Sequence, residues 1–462
     1  MRKYVSLNEK VRPFGIRDRI GYMLGDLGND FSFILASSFM MKFYTDVMGI
    51  EGAVVGAVMM IVRIAGAFTD VAMGQVVDRS HPTGDGKFRP WIKRMCGPVA
   101  ITSFLIYQSG LAGMSYGFKV AWLFITYILW GSIFYTAINI PYGAMVSAIS
   151  ADPKDRASLS TWRNIGAILA NLIIGTGTPL FAYVVVNGNT VLSGPRMTLI
   201  AGIFTILSII CYLLCLYLTP ERVVVQANQE KFHLGKLVKN IATNRSLLGI
   251  ILAALLLMLS VLSLGGMSAY VFPNYYGNVT AQSASSLIGS IGMLLICAPL
   301  AERFAAGLGK KELSIIGCGF SVAVLLVLFI IRPQNPYMYV AFFALSQVGY
   351  GFFNSVIWAM ITDVIDASEL KHGVREDGTI YAVFSFARKM GQAASSGLIG
   401  FLLTTIGYTT ETAYDADVVN AIFDISCLLP AAGLVLVVLA LAFVYPLSKK
   451  IVEENAAVLH KG

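Results

Sequence analysis

Seven charged residues lie inside apolar runs of this chain. Asp26, Asp30 and Asp70 are the acids, and Arg63, Arg163, Arg388 and Lys389 are the bases. A charge at the bilayer centre costs about 2.5–3.5 kcal/mol even on insertion scales, so such residues line a polar cavity or pair with one another. In GDLGNDFSF, Asp26, Asn29 and Asp30 share one helix face at spacings of three and four. A carboxylate accepts two hydroxyls at once, and charge-assisted bonds are the strong ones. That face suits a polyhydroxylated ligand, unless the acids pair with bases on neighbouring helices. In RIAGAFTDVAMG, Arg63 and Asp70 stand two turns apart with the small residues Gly66 and Ala67 between them. A lone carboxylate in apolar surroundings is suited to taking up and releasing a proton. On the tenth apolar run Trp358 offers a flat face on which a sugar ring can stack, or simply packs.

The elements that position these residues follow from composition. Hydrophobic residues make up 56% of the 462 and charged residues 13%, with mean hydropathy +0.71. An ordinary globular domain is about 25% charged. These values predict an all-α polytopic membrane protein. Twelve candidate helices are centred near residues 36, 62, 104, 133, 171, 206, 258, 291, 322, 349, 391 and 433, each long enough to span a bilayer. Of the 34 Lys and Arg, 26 fall in the tails and alternate loops. Lys119, Arg196 and Arg332 face them, with Lys42 at the border. The positive-inside rule then puts both termini in the cytoplasm. The same clustering argues against a nucleic-acid partner for the net charge of +8.

Cys96, Cys211, Cys215, Cys297, Cys318 and Cys427 show neither metal-ligand spacing nor a disulfide framework. Cys211 and Cys215, four apart, read as small core residues. GDGK in the loop after the second helix is too short for a phosphate-binding loop and follows no strand. No cleavable leader is expected ahead of the first apolar run. The sequence therefore predicts a protein that is not an enzyme and carries no cofactor.

The polar segment TPERVVVQANQEKFHLGKLVKNIATNR divides the chain into residues 1–219, a cytoplasmic loop 220–245, and residues 246–462 with a cytoplasmic tail. GQVVDRSHPTGDGKFRPW after the second helix and APLAERFAAGLGKKEL after the eighth form a weak repeat. Each has an acid–Arg pair at a helix end, then Gly and basic residues. Two pseudo-symmetric six-helix halves imply alternating access to a midplane site.

Gly74, Asp78 and Arg79, followed by Gly86-Lys87, resemble the loop signature of the major facilitator superfamily. FYTDVMGI, GKFRPW, TYILWG and NIPYG resemble the glycoside–pentoside–hexuronide:cation symporter family over nearly the whole chain. VFSFARKMGQA, with GVREDG before it, is similar to the glucuronide permease branch more than to the melibiose permease. The resemblance implies the major facilitator fold and import of a hexuronide or pentoside glycoside, driven by a cation, across a bacterial cytoplasmic membrane. It assigns the substrate to Asp26, Asp30, Asn139, Tyr142, Arg163, Trp358, Lys389 and Gln392. Coupling falls to Asp70, Thr136 and Lys389, and gating or structural roles to Arg63, Asp78, Arg79 and Asp363. A soluble regulatory protein at the cytoplasmic face is a further implied partner.

Two departures matter. The melibiose permease has Asp at the position of Asn139 and Trp at that of Gly143. The family's first helix-two aspartate is Gly66 here. Sodium prefers a cage of several oxygens, whereas a proton needs one carboxylate, so H⁺ is favoured over Na⁺ at Asp70. The rivals are an uncoupled facilitator, a Na⁺ symporter, a lipid transporter of the same family and a sugar-sensing receptor. Four bases against three acids, with Asp70 protonated in the loaded state, also favour an acidic glycoside, with Arg163 as the partner of its carboxylate.

Overall fold

The computed structural model describes residues 12–223, 244–372 and 377–459. Most of the expected middle loop, and part of GVREDG, lie outside them. The chain forms two compact units, Met1–Val185 with Val191–Phe232, and Val186–Thr190 with His233–Gly462.

In the first unit the long helices are α1 Ile16–Lys42, α2 Gly52–Arg79, α3 Arg89–Ile106, α4 Tyr116–Ile149, α5 Pro153–Ala182 and α6 Gly194–Leu218. The second holds α7 Arg245–Tyr275, α8 Val279–Cys297 (running on as Ala298–Leu308), α9 Lys310–Ile331, α10 Pro336–His372, α11 Asp377–Thr405, α12 Ala416–Val444 and the short α13 Lys449–Leu459. Among the described residues nine helices are long and apolar enough to cross a membrane. Local chemistry sets several starts. Asp152 caps α5 through the Lys154 amide at 2.9 Å, ahead of Pro153, and Asn244 and Asn278 cap α7 and α8.

The first helix begins earlier than its apolar centre suggested, because polar residues also face its neighbours. A side chain on Gly25 would collide with Tyr142 of α4, and one on Gly28 would press on Cys211 of α6. Small residues let these backbones approach. Cys211 and Cys215 are buried against this face, which is the packing role the sequence suggested.

Two features depart from a plain helical reading. A hairpin of β1 Tyr183–Val186 and β2 Asn189–Leu192 turns at Asn187-Gly188, both with positive φ (51° and 85°). Asn-Gly between β-branched runs is the sequence signal for that turn, which the sequence reading passed over. The start of the supposed middle loop is also packed into the first unit. Glu221 accepts the backbone N–H groups of Lys87, Phe88 and Arg89 at 2.7, 2.8 and 2.9 Å, at the N-terminus of α3. Arg222 donates to the fully buried Asp18 at 2.9 Å, beside Arg12 at 2.7 Å. The weak repeat has a backbone counterpart: Gly86 and Gly309, each just before a lysine, share φ of +106°, a region that favours glycine.

Candidate functional site

In the first unit the sequence-predicted residues form two groups. The first lies where α1 meets α4 and α5. Asp26 is buried, and its Oδ1 accepts from Arg163 Nε at 2.8 Å. The Arg163 guanidinium also lies over the Tyr142 ring, 5.5 Å from its centroid. Tyr142 stacks on Tyr22 at 4.7 Å, and each hydroxyl donates to the other residue's carbonyl oxygen. Asp30, one turn beyond Asp26, is half-buried, as is Asn139. Asn29 is buried and accepts from the Tyr212 hydroxyl at 2.7 Å.

This arrangement changes two expectations. Tyr142 is 1% exposed and its hydroxyl is spent on Tyr22, so it shapes Arg163 rather than offering a donor to a sugar. Arg163, expected to meet a substrate carboxylate, is held by Asp26. One guanidinium stands beside two carboxylates, so this cluster has an acid in surplus rather than a base. Replacing Tyr142 by Phe is expected to lower stability by about 1 kcal/mol and to leave the KM for transport unchanged. A KM raised by about tenfold or more would return the hydroxyl to the substrate.

The second group joins α2 to α4. Arg63 Nε donates to the Tyr127 hydroxyl at 3.1 Å, Ser132 Oγ to the Val62 carbonyl at 2.8 Å, and Thr136 Oγ1 to Asp70 Oδ1 at 2.7 Å. Arg63 also reaches Ser37 of α1 at 3.2 Å. Gly66 and Ala67, between these residues on α2, are buried, and small residues let helix backbones approach closely. The π-turn Leu129–Phe134 sits just before Thr136. Such turns shift the helix register and recur at functional sites. Asp70 and Thr136 supply a carboxylate and a hydroxyl, a set that can hold a proton or contribute to a cation cage. Asp78 and Arg79 are exposed, and Asp78 contributes its carbonyl oxygen to Lys87 Nζ at 3.1 Å.

In the second unit Asp363 is paired with Lys310, whose Nζ lies 2.6 and 2.8 Å from its two oxygens. Lys389 and Gln392 are half-buried on α11, and neither is without a partner. Trp358 stacks on Tyr381 and meets Phe384 edge-on. Sequence reasoning missed Tyr22, Tyr127 and Ser37, the residues that orient Arg163 and Arg63. Tyr22 carried a signal, since it stands four residues before Asp26 on the same face.

A family model described as MFS/sugar transport protein matches residues 21–449. The chain is 30% identical over 448 residues to an uncharacterized symporter of Bacillus subtilis, YjmB, covering 96% of this chain and 95% of that protein. It is 29% identical over 438 residues to the glucuronide carrier protein homolog of Escherichia coli K12, covering 94% and 93%. The crystal structure of a D-xylose-proton symporter superposes with a TM-score of 0.68 at 14% identity, over 94% of this chain and 98% of that one, a likeness of fold.

Proposed function

We propose that this chain, which belongs to the MFS/sugar transport family, imports a hexuronide or pentoside glycoside together with a proton by alternating access. As a member of that family it is a multi-pass membrane transporter and not an enzyme, and its substrate class is sugar. The glycoside and the coupling ion are our assignment, as are the import direction and the cytoplasmic placement of both termini in a bacterial inner membrane. Twenty-six basic residues in the tails and alternate loops support that placement.

The observation that carries the coupling assignment is the Thr136–Asp70 bond of 2.7 Å, with Gly66 rather than a second acid one turn away. One carboxylate with a hydroxyl donor can load and unload a proton. Sodium prefers a cage of several oxygens, and Gly66 contributes no side-chain oxygen to one. For the sugar we assign Asp30 and Asn139 as hydroxyl partners in the first unit. The Asp26–Arg163 pair presents its partly exposed guanidinium beside them. In the second unit Lys389 and Gln392 take the corresponding roles.

Uptake into energised membrane vesicles tests the coupling ion. Accumulation is expected to collapse with a protonophore and to be indifferent to replacement of Na⁺ by K⁺ or choline. Strong stimulation by Na⁺ at clamped potential would give the Asp70 site to sodium instead.

A further inference from the structure

Arg388 precedes Lys389 on α11 and points about 100° away from it round the helix. Nothing in the transport scheme above uses it. Its guanidinium lies over the indole of Trp358, 5.6 Å from the ring centroid, and 5.8 Å from that of Phe384. Its Nη1 is enclosed and has no hydrogen-bond partner. Ion pairs of this unit include those of Lys310 with Asp363, Arg332 with Asp424, and Lys449 and Lys450 along α13. The other arginines within the spans are satisfied, Arg163 by Asp26 and Arg63 by Tyr127 and Ser37.

Aromatic faces attract a guanidinium but give its five N–H donors no lone pair to bond. Buried donors in folded proteins nearly always have an acceptor, and an exception asks for one that the protein does not supply. A ring face engages the guanidinium through its charge and not through its N–H groups, which present a planar fork that carboxylates and other oxyanions match with two parallel bonds. Trp358 is 49% exposed, with Tyr381 stacked on it and Phe384 edge-on, so part of its apolar surface lies open near this cation. A sugar ring resting on that exposed part would carry an acidic substituent towards the guanidinium.

We propose that Arg388, stacked on Trp358, recognises an oxyanion borne by the substrate's sugar ring, a carboxylate or a sulfonate, and makes the transporter prefer acidic over neutral glycosides. This inference rests on the glycoside-transport reading. It assigns to Arg388 the role that the sequence suggested for Arg163, which Asp26 already holds.

The test compares three substrates with one aglycone: a glucuronide, the glucoside, and the 6-sulfonated glucoside. In the wild-type protein one of the two acidic substrates is expected to have a KM lower than the glucoside's by about tenfold or more. The better of the two identifies the oxyanion. Arg388→Gln should raise the acidic substrate's KM by about tenfold and leave the glucoside's within about twofold. Arg388→Lys keeps the charge without the fork, and should lose part of the preference while restoring any loss of expression. Equal KM values for acid and glucoside in the wild type would overturn the proposal. So would an Arg388→Gln protein that keeps the preference, or one in which both KM values rise together. In each of those cases glucoside transport persists and the transporter reading stands. Failure of the wild type to carry any of the three would overturn that reading, and this inference with it.

Discussion

Asp70→Asn is expected to abolish uphill accumulation of substrate while leaving exchange of substrate across the membrane intact. The carboxylate accepts the Thr136 hydroxyl at 2.7 Å, and an asparagine side-chain oxygen can accept the same bond. The α2–α4 contact therefore survives, helped by the Ser132–Val62 and Arg63–Tyr127 bonds. What the amide cannot do is gain and lose a proton. Without an ion to carry, the accumulation ratio falls to unity, whereas counterflow needs only substrate binding and the conformational cycle. The measurement is accumulation and counterflow side by side, in vesicles containing equal amounts of protein. Accumulation by the Asn variant at the wild-type level would show that Asp70 is a packing residue and that coupling lies elsewhere.

The second large effect concerns the Asp26–Arg163 pair. Asp26→Asn removes the carboxylate that accepts the Arg163 N–H beside Tyr142. Breaking a fully buried pair from one side costs about 3–5 kcal/mol. The Arg163 side chain is 41% exposed, so solvent recovers part of this and about 2 kcal/mol is the expected loss of stability. Transport should fall by roughly tenfold or more, since each 1.4 kcal/mol of lost substrate interaction is a factor of ten. Removing both charges, with Asp26→Asn and Arg163→Gln together, should restore most of the thermal stability and none of the transport. Stability and transport then separate, as a site pair requires. A double variant that regains both would make the pair purely structural.

Sequence and structure agree where one physical rule dominates. Charge in apolar runs located Asp26, Asp70 and Arg163, because the cost of burying an ion leaves few reasons to keep one. Hydropathy located the helices for the same reason. What the sequence withheld was the partner of each charge. Asp26 and Arg163 stand 137 residues apart, and no local spacing links them. The family resemblance gives Tyr142 to the substrate, and nothing local shows Tyr22, 120 positions earlier, which takes its hydroxyl. Glu221 read as a loop residue because the three amides that it caps belong to a turn more than a hundred positions away. In the sequence Arg388 is only one of four bases within apolar runs. Only the fold puts it on Trp358 with an unsatisfied nitrogen. By contrast Gly86 and Gly309 were legible as a repeat, since a positive φ before a helix start restricts the residue type at one position.

Proton movement driven by substrate tests the central claim most directly. Purified protein is reconstituted into sealed liposomes containing a pH-sensitive dye, with the membrane potential clamped, and an inward glycoside gradient is imposed in the absence of Na⁺. Cotransport with a proton predicts acidification of the lumen at a rate that follows glycoside entry, and its loss in the Asp70→Asn protein. Glycoside entry at the wild-type rate with no change in internal pH would contradict the account and leave a facilitator in its place.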